Sequence, residues 1–327
     1  MLDAIEKAAI PLYRGLRRLK NRALNLLDPP VIVLAYHRVT LLASDPHQLA
    51  VTPDNFRAQM QYLARNFRCL RLEESWAGVN EPAVVVTFDD GYADNLEQAL
   101  PILEEAGVPA TFFICTGMLD SPREFWSDDL ERLVLAGADY AGSFALQDPD
   151  YGGNWPCASP VQRQALHDRL HRAMLQVKAP RREEWLDQVR AWAGVGGEAR
   201  DGYRALTREE LCRVAASPMV TLGAHSVTHT PLALLSEEEQ RLEIVRSRLK
   251  LEELTGREVT LFSYPFGGSR QYDSTTRRLC REAGFRRAVT TFPGQVHRWT
   301  DPFQMPRQLV RNWDLATFAA MMERFRA

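Results

Sequence analysis

The sequence predicts an α/β fold built on parallel strands, and three observations predict it. Short runs rich in Val, Ile, Leu and Ala, at Val31–Tyr36 and Ala83–Phe88, read as strands buried on both faces. Segments with helical start and stop signals separate such runs, which is the rhythm of a parallel sheet with helical crossovers. Several runs stop abruptly at chemically active side chains: Tyr36-His37, Asp89-Asp90, His225 with His229, and Tyr264-Pro265-Phe266. Parallel strands of a barrel present their carboxyl ends at one mouth, so these residues are expected to converge.

Residues 1–28 open the chain as an amphipathic helix. Ile5, Ala8, Leu12, Leu16 and Leu19 fall on or near one face, and Arg14, Arg17, Arg18, Lys20 and Arg22 make the segment basic. It suits peripheral contact with an anionic membrane surface, the alternative being a helix packed on the domain with its basic face in water. Pro11 interrupts it and Pro29-Pro30 closes it, so the expected division is 1–30 and 31–327. Val31–His37 is the first strand, Thr52-Pro53-Asp54 opens a helix through about Asn66, and Cys69–Leu72 is a weak strand. Ala83–Phe88 then runs into Asp89-Asp90-Gly91-Tyr92. Gly91 permits a sharp turn, and Asp94 or Asn95 is placed to cap a helix reaching about Ala106. Adjacent carboxylates repel, and burying both needs a cation or a shared proton.

Ala110–Cys115 is the next strand, after which the rhythm lapses from about 118 to 216. That is long for one strand-to-strand connection and reads as an inserted helical cap. It holds an aromatic-acidic stretch, Phe125-Trp126-Ser127-Asp128-Asp129, a loop at Tyr151–Pro156 and two polar helices over 160–193. His167 and His171 have the spacing of a metal pair, but Arg163, Arg169 and Arg172 surround them, so they read as a solvated helix face. The rhythm returns at Met219–Ala224, just before His225. Ser236 and Glu239 make a capping box for a helix to about Thr255. Thr260–Tyr264 and Arg287–Thr291 are strands flanking a helix from about Ser274 to Ala283. Leu309–Arg311 is the last strand, and Asp314 caps a closing helix.

Composition narrows the function. A formal net charge of −2 over 327 residues gives no basic surface for nucleic acid. No apolar run approaches the roughly 18 residues of a membrane span. The five cysteines are widely spaced and odd in number, which suits neither a disulfide framework nor a cysteine metal site. With no secretion-signal core at the N-terminus, a cytoplasmic location is expected, at the inner membrane face if residues 1–28 meet lipid.

One carboxylate and two imidazoles make the facial set of a hydrolytic zinc or related divalent-metal site, with positions left for water and substrate. In combination, Thr87-Phe88-Asp89-Asp90-Gly91, His225-Ser226-Val227-Thr228-His229 and Tyr264-Pro265-Phe266-Gly267 resemble the polysaccharide deacetylase family, carbohydrate esterase family 4, over roughly 31–116 and 218–311. The resemblance implies a distorted (β/α)7-type barrel. It implies a hydrolase that removes N-acetyl groups from amino-sugar residues of a polysaccharide or lipid-linked glycan. Asp90, His225 and His229 would hold one divalent ion, zinc before cobalt, nickel or manganese. Asp89 would be the general base, and the backbone N–H of Phe266 the oxyanion donor. Many members carry the general acid late in the domain, which points to His297. A branch acting on poly-N-acetylglucosamine exopolysaccharides carries it in an early Tyr-His context similar to Tyr36-His37, and His37 is preferred because it ends a strand. Tyr92, Tyr264, Pro265 and Trp126 are candidate substrate contacts. There are two departures: Ser263 stands where many members have the Arg that orients the base, and the usual Asp/Trp pocket motif has no match. Deformylation of a lipid-linked amino sugar and a catalytically silent glycan-binding module are the alternative readings. Asp89 speaks against the latter, since pure binding needs no base.

Overall fold

In the computed structural model, which describes residues 24–136 and 142–327, the aliphatic runs form a parallel sheet. The expected amphipathic helix of residues 1–28 lies almost wholly outside the described residues. In chain order the first strands are β1 (Val31–Tyr36), β2 (Arg38–Val39), β3 (Ala50–Val51), β4 (Arg68–Cys69), β5 (Ala83–Phe88) and β6 (Ala110–Ile114), of which β2 and β3 pair with each other in a small separate sheet. A hairpin of β7 (Ser143–Leu146) and β8 (Gly153–Pro156) precedes β9 (Val220–Ala224), β10 (Leu261–Ser263), β11 (Arg287–Val289) and β12 (Gln308–Leu309). The main sheet runs β11-β10-β9-β6-β5-β1-β12, all parallel.

Alternation along β1 and β5 assigns the two faces. Ile32, Leu34, Tyr36, Val84, Val86 and Phe88 share one core with the surrounding helices. Val31, Val33, Ala83 and Val85 point the other way and meet Phe113, Leu261 and Val289 inside the barrel. Both faces are covered, which is why these strands are apolar throughout. β5 pairs with β1 along its whole length, while its other edge is shared by β4 at the start and β6 at the end. β12 pairs with β1 at Leu34 and Ala35, and Met305 bridges Val289 at the end of β11 in parallel. The segment 305–309 therefore links the two sheet edges as a seventh stave, and the fold is the expected distorted (β/α)7 barrel.

The outer helices are α1 (Pro53–Asn66), α2 (Leu100–Ala106), α6 (Arg208–Ala216), α7 (Glu237–Thr255), α8 (Ser274–Glu282) and α9 (Leu315–Arg326). Ser236 and Glu239 form the expected capping box, and Asp314 accepts from Thr317 N at 2.8 Å. Asp94 does not cap. A π-helical turn, Asn95–Ala99, precedes α2, and the Asp94 carboxylate instead accepts from Val39 N and the Arg38 guanidinium.

The insertion has its own apolar core. Between α3 (Trp126–Leu135), α4 (Pro160–Met174) and α5 (Ala179–Ala193) lie Leu130, Leu133, Phe144, Leu170 and Trp185. The hairpin replaces the loop expected at Tyr151–Pro156. Gly, Asn and Pro hide β8 from a propensity reading, whereas Phe144 and Leu146 alternate inward on β7. α6 falls inside the expected insertion, yet Leu211 and Val214 pack in the barrel core. His167 is buried, not on a solvated face: its ring and those of His171 and His47 cluster at centroid distances of 4.5–6.0 Å. Among the described residues no helix is long and apolar enough to cross a membrane.

Candidate active site

The carboxyl ends of the staves deliver the predicted residues to one place. β5 ends at Phe88, and the backbone turns through Asp90 (φ 76°) and Gly91 (φ 87°). β9 ends at Ala224, and Ser226 (φ 61°) and His229 (φ 52°) fold the following loop back on itself. Beyond β10, Phe266 adopts φ 60°. Left-handed backbone at non-glycine residues costs on the order of 1–2 kcal/mol each. Four of the six such residues described lie in this mouth, the clustering expected of a functional site.

Asp90 Oδ1 lies 3.4 Å from His225 Nε2 and 3.3 Å from His229 Nε2, and the two nitrogens are 3.2 Å apart. A point equidistant from three such donors is ~2 Å from each, the length of zinc–nitrogen and zinc–oxygen bonds. Asp90 Oδ1 is buried with no hydrogen-bond partner, so the donor is free for a cation. His225 Nδ1–H donates to Ser263 O at 2.7 Å, which fixes the tautomer and leaves Nε2 to ligate. Burial brings His229 down to about 3 against the pull of Asp90, and a neutral imidazole is the ligating form. Burial alone would raise Asp90, but His229, His225 and His37 outweigh it and hold the carboxyl low. The residues fit a divalent cation. Among the described residues no other group of three His, Cys, Asp or Glu brings its donors this close.

Asp89 points into the barrel instead. Arg307 Nη1 and Nη2 donate to its two oxygens at 2.8 and 2.6 Å, and Ser263 Oγ lies 3.3 Å from Oδ2. Burial raises Asp89, but Arg307, then His225 and His37, reverse the effect and hold it below the usual carboxylate range. Arg307 is itself buried and fully engaged, donating also to Thr290 O, Thr87 Oγ1 and Ser263 Oγ at 2.9–3.1 Å. It places a cation on Asp89 from the closing stave, where Ser263 offers none. Sequence reasoning missed it. The available signal was a lone cation in an otherwise uncharged stretch, Met305-Pro306-Arg307-Gln308-Leu309.

His37 follows β1 at the mouth. Burial lowers its pKa while Asp90 and Asp89 pull it up, and its Nδ1 has no partner. His297 is elsewhere. It sits beside Val296, which bridges Val31 at the opposite end of β1, a strand about 20 Å long. There its ring stacks on Trp299 and its Nδ1 meets Asp28 O. The Phe266 ring is 4.6 Å from His229, and no described residue accepts its N–H, whereas its carbonyl accepts from Thr291 Oγ1.

Tyr92 and Tyr264, expected as substrate contacts, are both buried with their hydroxyls engaged within the protein. Tyr264 is buried, donates to Phe303 O at 3.0 Å and stacks on Tyr272 behind Pro265, itself buried. Tyr92 is buried beneath Arg38, and its hydroxyl donates to Asp128 at 2.7 Å. Burial pushes the Asp128 carboxyl up to about 7 despite Arg38 and Tyr92. Both tyrosines brace the mouth. Trp126 joins the cap core yet lines a cavity that reaches His229.

Comparisons with known proteins agree with the fold. YxkH of Bacillus subtilis (strain 168), whose name assigns it to the polysaccharide deacetylases, is 20% identical over 273 residues. The match takes in 81% of this chain and 66% of YxkH, so the chain spans just under two thirds of that relative. Among solved structures, IcaB from Ammonifex degensii superposes with TM-score 0.58 at 20% identity, over 92% of this chain and 98% of IcaB. A polysaccharide deacetylase from Bacillus cereus gives the same score and identity over 90% of this chain and 69% of its own. These structures attest the fold. The family model described as polysaccharide deacetylase matches residues 77–164 and 187–288. That is more than half of the sequence, and the chain belongs to the polysaccharide deacetylase family.

Proposed function

We propose that the protein is a metal-dependent N-deacetylase that removes acetyl groups from amino-sugar residues of a glycan. One observation carries the reading: a buried carboxylate, Asp89, kept ionised by Arg307, directly precedes the Asp90–His225–His229 donor set. A binding site needs the donors but not the base.

Asp90, His225 and His229 would hold the cation, zinc by the chemistry of the donors, which when bound makes water more acidic and polarises a carbonyl. Asp89 takes the proton of the attacking water. Arg307 keeps the Asp89 carboxyl aimed and ionised. As the carbonyl carbon becomes tetrahedral, the Phe266 N–H donates to its oxygen. The C–N bond then breaks, and His37 gives a proton to the departing amine. Acetate leaves, and the proton gained by Asp89 and the one lost by His37 re-equilibrate through water.

The test is acetate release from N-acetylglucosamine oligomers by metal-loaded protein, beside Asp89→Asn and His37→Ala. Each variant is expected to lose about 10²–10⁴-fold in kcat with its metal content unchanged. Full activity in Asp89→Asn, or no acetate from the parent protein, would sink the proposal.

A further inference from the structure

A cavity of about 210 Å³ opens beside His229, between α5 and the barrel mouth. Phe125, Trp126, Arg182 and Thr228 contribute to its wall. Arg182, on α5, is only 5% exposed. Its guanidinium lies over Trp126, with Cζ 5.0 Å from the ring centroid, and Nη2 donates to Thr228 O at 3.3 Å. Nη1 has no hydrogen-bond partner. The neighbouring acids are already matched. Glu243 accepts from Val227 N, Thr228 N and Thr228 Oγ1, at 2.8–2.9 Å. Glu124 pairs with Arg200, and Glu183 with Arg123 and Arg190. Among the described residues no ion pair includes Arg182. Burial depresses its pKa to about 10, Cys115 and Glu243 opposing. A buried guanidinium without a counter-ion is strongly unfavourable. Its fork of donors is the shape that recognises carboxylate or phosphate.

We propose that Arg182 is a specificity residue that binds an oxyanion of the substrate, a carboxylate or phosphate borne by the acetylated sugar or its immediate neighbour. The inference rests on the deacetylase reading, since it places that anion next to the scissile acetamide. The substrate is then an acidic glycan. The cap supplies the cation through α5, so substrate charge is read by the insertion and the chemistry is done by the barrel.

The test uses the full-length, metal-loaded protein with Arg182→Gln and Arg182→Lys. Substrates are a neutral N-acetylglucosamine tetramer, a tetramer alternating N-acetylglucosamine with glucuronate, and the neutral tetramer carrying a 1-phosphate. The parent protein is expected to favour one anionic tetramer at least about tenfold in kcat/KM, the size of one charged hydrogen bond, mostly through KM. The favoured arm separates carboxylate from phosphate. Arg182→Gln brings the ratio close to one, and Arg182→Lys restores part of it. The ratio of the parent protein also falls with added salt, a readout that needs no variant. Calorimetric titration with glucuronate, N-acetylglucosamine 1-phosphate and N-acetylglucosamine measures binding without turnover. Acetate release with no anionic preference overturns the anion site and leaves the deacetylase intact. Arg182-dependent binding of an anionic probe without acetate from any tetramer keeps the anion site and overturns the deacetylase. Equal loss in Gln and Lys marks a packing role and overturns the proposal.

Discussion

Asp89 and Arg307 meet across 218 residues of sequence, and that separation explains what was legible at the residue scale. Asp89, Asp90, His225 and His229 announce themselves because each pair sits within one short stretch at a strand end. Arg307 carries no local pattern. The same limit applies to the tyrosines: a strand-end motif says that Tyr92 and Tyr264 are near the mouth, not which way each ring turns. His37 was preferred to His297 because it ends a strand, and the pairing of Val296 with the start of β1 sets His297 at the other end of that strand. The Asp89–Arg307 contact makes a sharp prediction. Arg307→Met leaves a buried carboxylate without its cation and should cost about 3–5 kcal/mol of stability. Arg307→Lys keeps the charge but not the fork, and should fold better while losing about 10–100-fold in kcat, a misaimed-base effect. Thermal denaturation with steady-state kinetics checks both, and an unchanged melting point in Arg307→Met would refute the assigned role.

At the element scale the cap is the informative piece. Its helices were readable from polar periodicity and length. Its hairpin was not, because Gly152, Gly153, Asn154 and Pro156 carry turn chemistry into a strand. Nor was the burial of His167, since it comes from His47, which is distant in sequence and which the chain folds against α4. The three imidazoles now sit at the cap–barrel seam, with His171 stacked on Trp126. Burial, with His47 and His167 beside it, lowers His171 to about 3, and Asp168 only partly opposes. Burial and His167 also lower His47, against Asp45, Asp168 and Glu131. A folded-state pKa below the unfolded value of about 6.5 means that the unfolded chain binds the extra proton. The stability is therefore complete above that pH and is lost as pH falls toward the folded value. Removing His171 with Gln should flatten the dependence of unfolding free energy on pH between 6.5 and 4 by about one proton. Denaturant titrations at several pH values measure the slope, and identical slopes in parent and variant would contradict the account.

For the whole molecule, the fold was legible because several buried strands end in polar residues, and only a parallel sheet gathers such ends together. The closing stave was expected at Leu309–Arg311 and its place was off by a few residues, because 305–309 reaches β11 through Met305 and β1 through Gln308 and Leu309, too few residues to fix a register. The donors come from the ends of β5 and β9, with β6 between them, so a bound cation ties the mouth across three staves. An ion at a hundred times its dissociation constant adds about 2.7 kcal/mol, several degrees of melting temperature. Scanning calorimetry with zinc added and chelated should show this shift in the parent protein and none in Asp90→Asn. A shift of equal size in Asp90→Asn would place the ion elsewhere. The closing stave is also the one held by contacts that span most of the sequence. Asp89 lies on a strand whose partners β1 and β6 are near in sequence, whereas its cation arrives with a segment that must cross most of the chain to dock. The metal donors follow β5 and β9, so a chain that lost this stave would keep all three and lose only the cation beside Asp89. On the deacetylase reading proposed above, a chain nicked ahead of the stave would bind its ion and release no acetate.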